Sequence, residues 1–233
     1  MVILSDLSEV LIRGMYGIEE PIGKRYGRKV AKRFLKRRSE IDTIFEELMR
    51  GHLSEDVYWQ VFFQEGKWPF DKEEIKSLFS LNLAQNIPGT LEVYQKIKYY
   101  PATLQADDFV MGRPEIWLVS DHIAERENEI GYLHPEIFTL CSRILWSFNS
   151  RALKSDTGFF QNLLSSHHLD HSEVVFIDDM PKNIMAASSG ADIMSIRFFH
   201  AAQLQEDLCK LGFGFEDPVA TSPTPQTHQW RFA

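Results

Sequence analysis

Five short apolar runs, each parted from the next by a stretch of helical character, constrain this chain more than any other feature. They are Val2-Ile3-Leu4, Ile116-Trp117-Leu118-Val119, Arg143-Ile144-Leu145-Trp146, Val174-Val175-Phe176-Ile177 and Ile193-Met194-Ser195-Ile196. Mostly unbroken apolar runs of this length suit strands covered on both faces, as in a parallel sheet. Helical stretches are predicted before the later runs: Thr90 to Ile97, one ahead of Arg143, Asp156 to Leu164, and Asn183 to Ser189. Strand–helix–strand alternation of this kind implies right-handed crossovers. The expected fold class is therefore α/β, with one parallel sheet and helices on both faces.

The first and second runs are separated differently. From about Arg28 to Arg50, Val30, Phe34, Ile41, Phe45 and Leu48 recur at helical spacing between charges, which reads as one long amphipathic helix. Ser54 and Asp71 look like N-caps of two more helices. Residues 14–86 thus read as an all-helical domain inserted after the first strand. The α/β core would comprise 1–13 and 87–213, resuming at Ile87-Pro88-Gly89, and residues 214–233 would form a flexible tail. Such a core is Rossmann-like in its layering, but the turn Asp6 to Leu11 has no glycine, so a dinucleotide-binding loop is excluded.

Composition narrows the partners. The formal net charge of −8 over 233 residues gives nucleic-acid binding no electrostatic support. No apolar run approaches the roughly 20 residues that a membrane helix needs. The N-terminus lacks the features of a signal peptide, and the two cysteines, Cys141 and Cys209, lie far apart with no CxxC. A cytosolic chain with no membrane partner, monomeric or homodimeric, is expected.

Ligands of open parallel sheets bind at the carboxyl ends of the strands. Here the first run ends in Asp6, the second in Ser120 and Asp121, and the fourth in Asp178-Asp179, while Lys154 precedes a predicted helix. Carboxylates gathered on one edge repel one another unless a cation lies among them, and a hard divalent ion such as Mg²⁺ resolves the conflict. Ser120 and Lys154 would suit the remaining oxygens of a phosphoryl group.

Taken together, Ser5-Asp6-Leu7-Ser8-Glu9, Leu118-Val119-Ser120-Asp121, Leu153-Lys154-Ser155-Asp156 and Ile177-Asp178-Asp179-Met180-Pro181 resemble the four motifs of the haloacid dehalogenase (HAD)-like hydrolase superfamily. Within it, the helical insert resembles the cap of small sugar-phosphate phosphatases with a degenerate first motif. The resemblance covers about residues 2 to 200 and implies a Mg²⁺-dependent phosphatase acting on a small phosphorylated metabolite, with sugar phosphates among the candidates. It implies Asp6 as the nucleophile that forms an aspartyl-phosphate. Ser120 and Lys154 would hold the phosphoryl oxygens beside Asp121. Asp6, Asp178, Asp179 and the main-chain carbonyl of Ser8 would hold Mg²⁺.

One departure stands out. The family places a second Asp where this chain has Ser8, as the acid that protonates the leaving oxygen. Losing such help typically costs about 10²–10⁴-fold in rate. Three readings follow: a substrate with a good leaving group, a stand-in from Glu9, Glu19 or Glu20, or a non-catalytic binding or regulatory protein. Dehalogenase chemistry, which uses the same Asp without metal, fits the acidic pair at 178–179 poorly. A receiver domain would place its acidic pair after the first strand, the reverse of the order here.

Some features stand outside this scheme. Lys24 to Arg38 carries nine basic residues and no acidic one, which suits either a solvated helix face or the steering of anions. His167-His168-Leu169-Asp170-His171 is expected on the edge away from the motifs, whereas His122, directly after Ser120-Asp121, suits either a place in the cleft or the start of a helix. The stretch Tyr99 to Pro114 is long for an α/β connection.

Overall fold

The computed structural model describes residues 1–99, 114–213 and 215. Most of the long 99–114 connection, and the 214–233 tail apart from Phe215, lie outside the described residues. In chain order the elements are β1 (Val2–Ser5), then α1 (Glu19–Tyr26), α2 (Arg28–Glu40), α3 (Asp42–Met49), α4 (Glu55–Phe63), α5 (Lys72–Leu83) and α6 (Thr90–Tyr99). The chain continues with β2 (Glu115–Ser120), α7 (Glu127–Leu133), α8 (Pro135–Leu140), β3 (Arg143–Trp146) and α9 (Ser147–Ser150). Last come α10 (Phe159–His167), β4 (Val174–Asp178), α11 (Pro181–Ala191), β5 (Met194–Arg197) and α12 (Ala201–Lys210). Among the described residues no helix is long and apolar enough to cross a membrane.

All five strands pair in parallel in the order β3-β2-β1-β4-β5, so β1 is central. Ser5 lies level with Leu118 of β2 and Ile177 of β4, which sets the ends of three strands side by side. Successive side chains of a strand point to opposite faces. Ile3, Ile116, Leu118, Val175 and Ile177 accordingly pack into one apolar cluster that continues into the helical insert. Val2, Leu4, Trp117, Val119 and Phe176 pack on the other face against Phe160, Leu163 and Ala187 of α10 and α11.

The expected helix from Arg28 to Arg50 is two. Ile41, at φ −115° and ψ 26°, interrupts the spiral, and the apolar stripe turns a corner there into α3. Ser54 and Asp71 cap α4 and α5 as expected, accepting from Val57 N and Glu74 N. The helix expected from Asp156 starts at Phe159, because Gly158 at φ 84° turns the chain just before it. Asp156 instead accepts from Leu153 N and pairs with Arg50 of the insert.

The insert has its own aromatic centre, where Phe34 and Phe62 meet at 5.1 Å and Trp68 and Phe70 at 5.4 Å. Two members of the basic stretch serve this packing. Arg37 is buried and donates to Val61 O at 2.6 Å and Phe62 O at 3.2 Å, while Arg33 lies 4.1 Å over the Trp68 ring. Further contacts hold the insert to the sheet layer. Buried Arg126 pairs with Glu55 at 2.6 Å, and His134 Nε2 meets Leu83 O at 2.7 Å; within the insert, Asn82 donates to Gly14 O.

Beneath the end of β1, Tyr94 Oη donates to Ser5 Oγ at 2.7 Å, and Ser5 Oγ donates to Asp6 O at 2.7 Å. Tyr94→Phe removes the first of these buried bonds and leaves the second. A loss of about 1 kcal/mol in urea unfolding is expected. An unchanged midpoint would mean that this chain of hydroxyls does not help fix the strand end.

Candidate active site

The carboxyl edge of the sheet gathers the motif residues as the strand ends require. Asp6 follows β1 directly, and its main chain continues the ladder by donating to Ile177 O at 2.9 Å. The turn then folds back, with Leu7 N donating to Asp6 Oδ1 at 2.7 Å and Leu11 N to Leu7 O at 2.8 Å. Lys154 is buried, and its ammonium bridges two carboxylates, Asp6 Oδ1 at 2.7 Å and Asp178 Oδ2 at 2.6 Å. Its main-chain N–H donates to Asp121 Oδ1 at 3.1 Å.

The adjacent acids differ in environment. Asp178 is fully buried, its Oδ1 accepting from Met180 N at 2.8 Å and both its oxygens from Asn183 Nδ2 at 3.1 Å. Asp179 is only partly buried and pairs with no cation among the described residues. Oxygens of Asp6, Asp178 and Asp179 lie within 4.8 Å of one another, an arrangement able to hold a cation.

Electrostatics record the crowding. Burial, offset in part by Lys154, and the charges of Asp178 and Asp179 hold the Asp6 carboxyl well above its usual range. Burial and the neighbouring Asp178 push Asp179 up to about 6. Burial also raises Asp121, with the Lys154 charge opposing it. Burial opposes the charge on Lys154, yet Asp178 and Asp6 win and push its pKa up. Three carboxylates around one ammonium leave an excess of negative charge, which a divalent cation would offset.

Asp6, Ser8, Asp121, Lys154 and Asp179 line one cavity of about 50 Å³, together with His122, Lys182 and Asn183. Glu9 also lines it, and the rest of its wall is apolar, formed by Met15, Phe45, Met49, Phe79, Ile123 and Met180. Ser120 lines the neighbouring cavity, which shares Asp121 with the first. Its Oγ is buried with no hydrogen-bond partner among the described residues. Asp178 lies behind the lining rather than on it. The Ser8 carbonyl accepts no main-chain hydrogen bond among the described residues.

Candidates to replace the missing acid are otherwise engaged. Glu9, held at φ 60°, accepts from Gly14 N at 2.8 Å and pairs with Arg13 at 2.8 Å. Glu19 and Glu20 line an adjoining groove that shares Glu9 and Asp179 with this cavity, and they face Arg38 at 3.9 Å and Lys24 at 2.8 Å respectively. The 167–171 histidines sit at the entry to β4, the far edge of the sheet, where His171 Nδ1 meets Asp192 O at 3.2 Å.

Sequence reasoning gave no role to Asn183, although its place in the first turn after the acidic pair is the signal for it. Nor did it find the wall supplied by Met15, Phe45, Met49 and Phe79, four residues from three segments of the insert.

No protein-family profile matches this chain, and no curated protein matches it in sequence. Solved structures do. The HAD family enzyme BT-2542 of Bacteroides thetaiotaomicron, in complex with magnesium and inorganic phosphate, superposes with a TM-score of 0.57 at 14% identity, over 85% of this chain and 93% of that one. A HAD-like family hydrolase from Porphyromonas gingivalis gives 0.62 at 16% identity, over 90% and 96%. L-2-haloacid dehalogenase from Xanthobacter autotrophicus, with chloropropionic acid covalently bound, gives 0.58 at 10% identity, over 92% and 85%. The chain has the HAD-like fold, an α/β core with a helical insert after its first strand.

Proposed function

We propose that the protein is a Mg²⁺-dependent phosphatase acting on a small phosphorylated metabolite, with residues 14–86 as a cap over the core formed by 1–13 and 87–213. The observation that carries this reading is the gathering of Asp6, Asp178 and Asp179 within 4.8 Å around a buried lysine at the carboxyl edge of a parallel sheet. A similarly folded enzyme, BT-2542, has been solved with magnesium and inorganic phosphate. Two free cysteines and the absence of a membrane-crossing helix among the described residues favour the cytosol.

The donor set fits the ion. Asp6 Oδ2, the Asp179 carboxylate and the Ser8 carbonyl have lone pairs to spare, while Asp178 is occupied by Lys154, Asn183 and Met180 N. Asp6, Ser8 and Asp179 would therefore ligate directly, with Asp178 acting directly or through water. Bound there, Mg²⁺ supplies positive charge to phosphoryl oxygens and to the crowded carboxylates.

Asp6 is the nucleophile, and its carboxylate forms the aspartyl-phosphate that water later hydrolyses. Lys154, 2.7 Å from Asp6, orients that side chain, opposes the burial that disfavours its charge, and meets the incoming phosphoryl charge. Ser120 offers its unpartnered hydroxyl to a phosphoryl oxygen, and Asp121 fixes the Lys154 backbone.

Phosphate release from a panel of sugar, acyl and nucleotide phosphates, with Mg²⁺ and with chelator, tests the reading. Release that needs Mg²⁺ is expected. Chloride release from haloalkanoates without metal would replace it with dehalogenase chemistry. Ser8 supports a second reading, a binding protein that has lost its acid. Turnover that appears only in Ser8→Asp would favour that reading.

Metal linkage gives an independent check. Asp179 rises from 3.8 in the unfolded chain to about 6, so its contribution to stability is complete below pH 4 and fades as pH climbs towards 6. Mg²⁺ cancels the repulsion behind that loss. Saturating Mg²⁺ should raise Tm at pH 7.5 by several degrees and have little effect at pH 4.5. Equal shifts at both pH values would count against Asp179 as a ligand.

A further inference from the structure

The wall of the cavity facing Asp6 carries information about the group attached to the phosphate. Met15, Phe45, Met49, Phe79 and Ile123 offer no hydrogen bonds, and Lys182 lies 3.8 Å from Glu46. The other polar group on that side is His122, which is buried between Phe79, stacked at 6.5 Å, and Trp146 at 5.8 Å. Its position is fixed from behind, because His122 N donates to Ser147 Oγ at 3.0 Å, and Ser147 Oγ donates to Met49 O at 2.6 Å. Ile123 N donates to His122 Nδ1 at 2.9 Å, closer than the 3.5 Å from Nδ1 to Ile123 O, so Nδ1 is the acceptor and the ring proton sits on Nε2. That N–H has no protein acceptor among the described residues. Burial holds the imidazole near pKa 4, so at neutral pH it donates a hydrogen bond but is not a proton source.

Two constraints therefore act on the leaving group. With Ser8 in place of an acid, and Glu9 held by Gly14 and Arg13, the turn after β1 supplies no acid to protonate a departing alkoxide. With His122 and the Glu46-facing Lys182 as the donors beside this apolar wall, a polyhydroxylated group set against Met15, Phe45, Met49, Phe79 and Ile123 would bury hydroxyls without partners, each costing roughly ten- to a hundredfold in affinity.

Resting on the phosphatase reading, we propose that the substrate is an acyl phosphate with a small apolar chain, whose carbonyl oxygen accepts a hydrogen bond from His122 Nε2. The Asp6 carboxylate forms a bond to phosphorus as the bond from phosphorus to the acyl oxygen breaks. The electron pair leaves with a carboxylate whose conjugate acid has a pKa of about 4, so no proton is required. Water then attacks the aspartyl-phosphate, the electron pair returns to Asp6, and the water's proton leaves to solvent. The net products are the carboxylate, inorganic phosphate and a proton.

β-Ketophosphonates, in which a methylene replaces the acyl oxygen, test recognition without turnover. Calorimetry with Mg²⁺ compares 2-oxobutylphosphonate, its deoxygenated alkyl analogue and a dihydroxylated phosphonate of similar size. The keto compound should bind at least tenfold more tightly than either. His122→Phe, which suits the aromatic surroundings, should erase its advantage over the alkyl analogue and leave methylphosphonate binding unchanged. His122→Gln, which keeps a donor, should restore part of it.

Equal binding of the dihydroxylated compound, or a keto preference that survives in His122→Phe, would overturn the proposal. Phosphate release from butyryl phosphate and sugar phosphates separates this result from the phosphatase reading. Keto preference without release from any phosphate would sink the phosphatase and leave the recognition standing. Sugar-phosphate release with weak keto binding would do the opposite, and no phosphonate binding at all would overturn both.

Discussion

Asp6→Asn abolishes phosphate release, by roughly 10⁴–10⁶-fold as for loss of a covalent nucleophile, and leaves the fold intact. The two side chains have the same shape, and the amide oxygen can still accept from Leu7 N. What disappears is the negative charge that attacks phosphorus. Lys154 keeps its other partner, Asp178, at 2.6 Å, so no buried charge is stranded. The removed charge was one that burial and its acidic neighbours disfavoured. Thermal stability without metal should therefore equal or slightly exceed that of the wild type, while the Mg²⁺-induced rise in Tm shrinks because one ligand is weakened. Activity and melting measured on the same preparation decide the matter. Residual turnover above about one per cent would remove Asp6 from the nucleophile's place, and unfolding would show that its charge is structural.

The order of the sheet edge was legible because strand ends and the residues that follow them are local in sequence. Asp6, Ser120, Asp121 and Asp178 each continue an apolar run, so a parallel fold brings them to one side whatever the intervening chain does. The unequal roles of the acidic pair were not legible. Asp178 and Asp179 are neighbours in sequence, but only a folded α11 brings Asn183 to the first and leaves the second open to the cavity. The break at Ile41 escaped for a related reason. Apolar spacing reports which residues face inward, and a stripe that turns with the chain keeps its spacing across the turn. Helix α12 was not anticipated, although Leu204, Leu208 and Leu211 recur at helical spacing between polar residues. The insert's contribution to the site was the least accessible. Phe45 and Met49 share α3, but Met15 and Phe79 come from other segments and reach the site only through tertiary packing, which contacts such as Arg50 with Asp156 and Ser147 with Met49 fix.

Lys154→Met should destabilise the protein by about 3–5 kcal/mol at pH 7, the usual cost of stripping the partner from buried charges. Methionine preserves most of the volume and removes only the ammonium, so packing contributes little to the loss. Asp6 and Asp178 would then face each other without the cation now 2.7 and 2.6 Å from them. Asp6, already held above its unfolded value by burial and its acidic neighbours, is pushed higher still once the opposing charge has gone. For acids raised in this way, stability is present below the unfolded pKa and is lost as pH climbs through the folded one. The deficit of Lys154→Met relative to wild type should accordingly shrink on acidification from pH 7 to pH 5, against the usual direction of acid denaturation. Mg²⁺ at pH 7 should recover part of it, since the ion offsets the same carboxylates from the side of Asp179, and the recovery should exceed the gain seen in wild type. Urea titrations at the two pH values, with and without the metal, give all four numbers. A deficit that grows on acidification would mean that Lys154 supports the site through its packed stem rather than its charge. Its place between two carboxylates would then be incidental to the fold, and only the loss of turnover would remain to mark it as part of the chemistry.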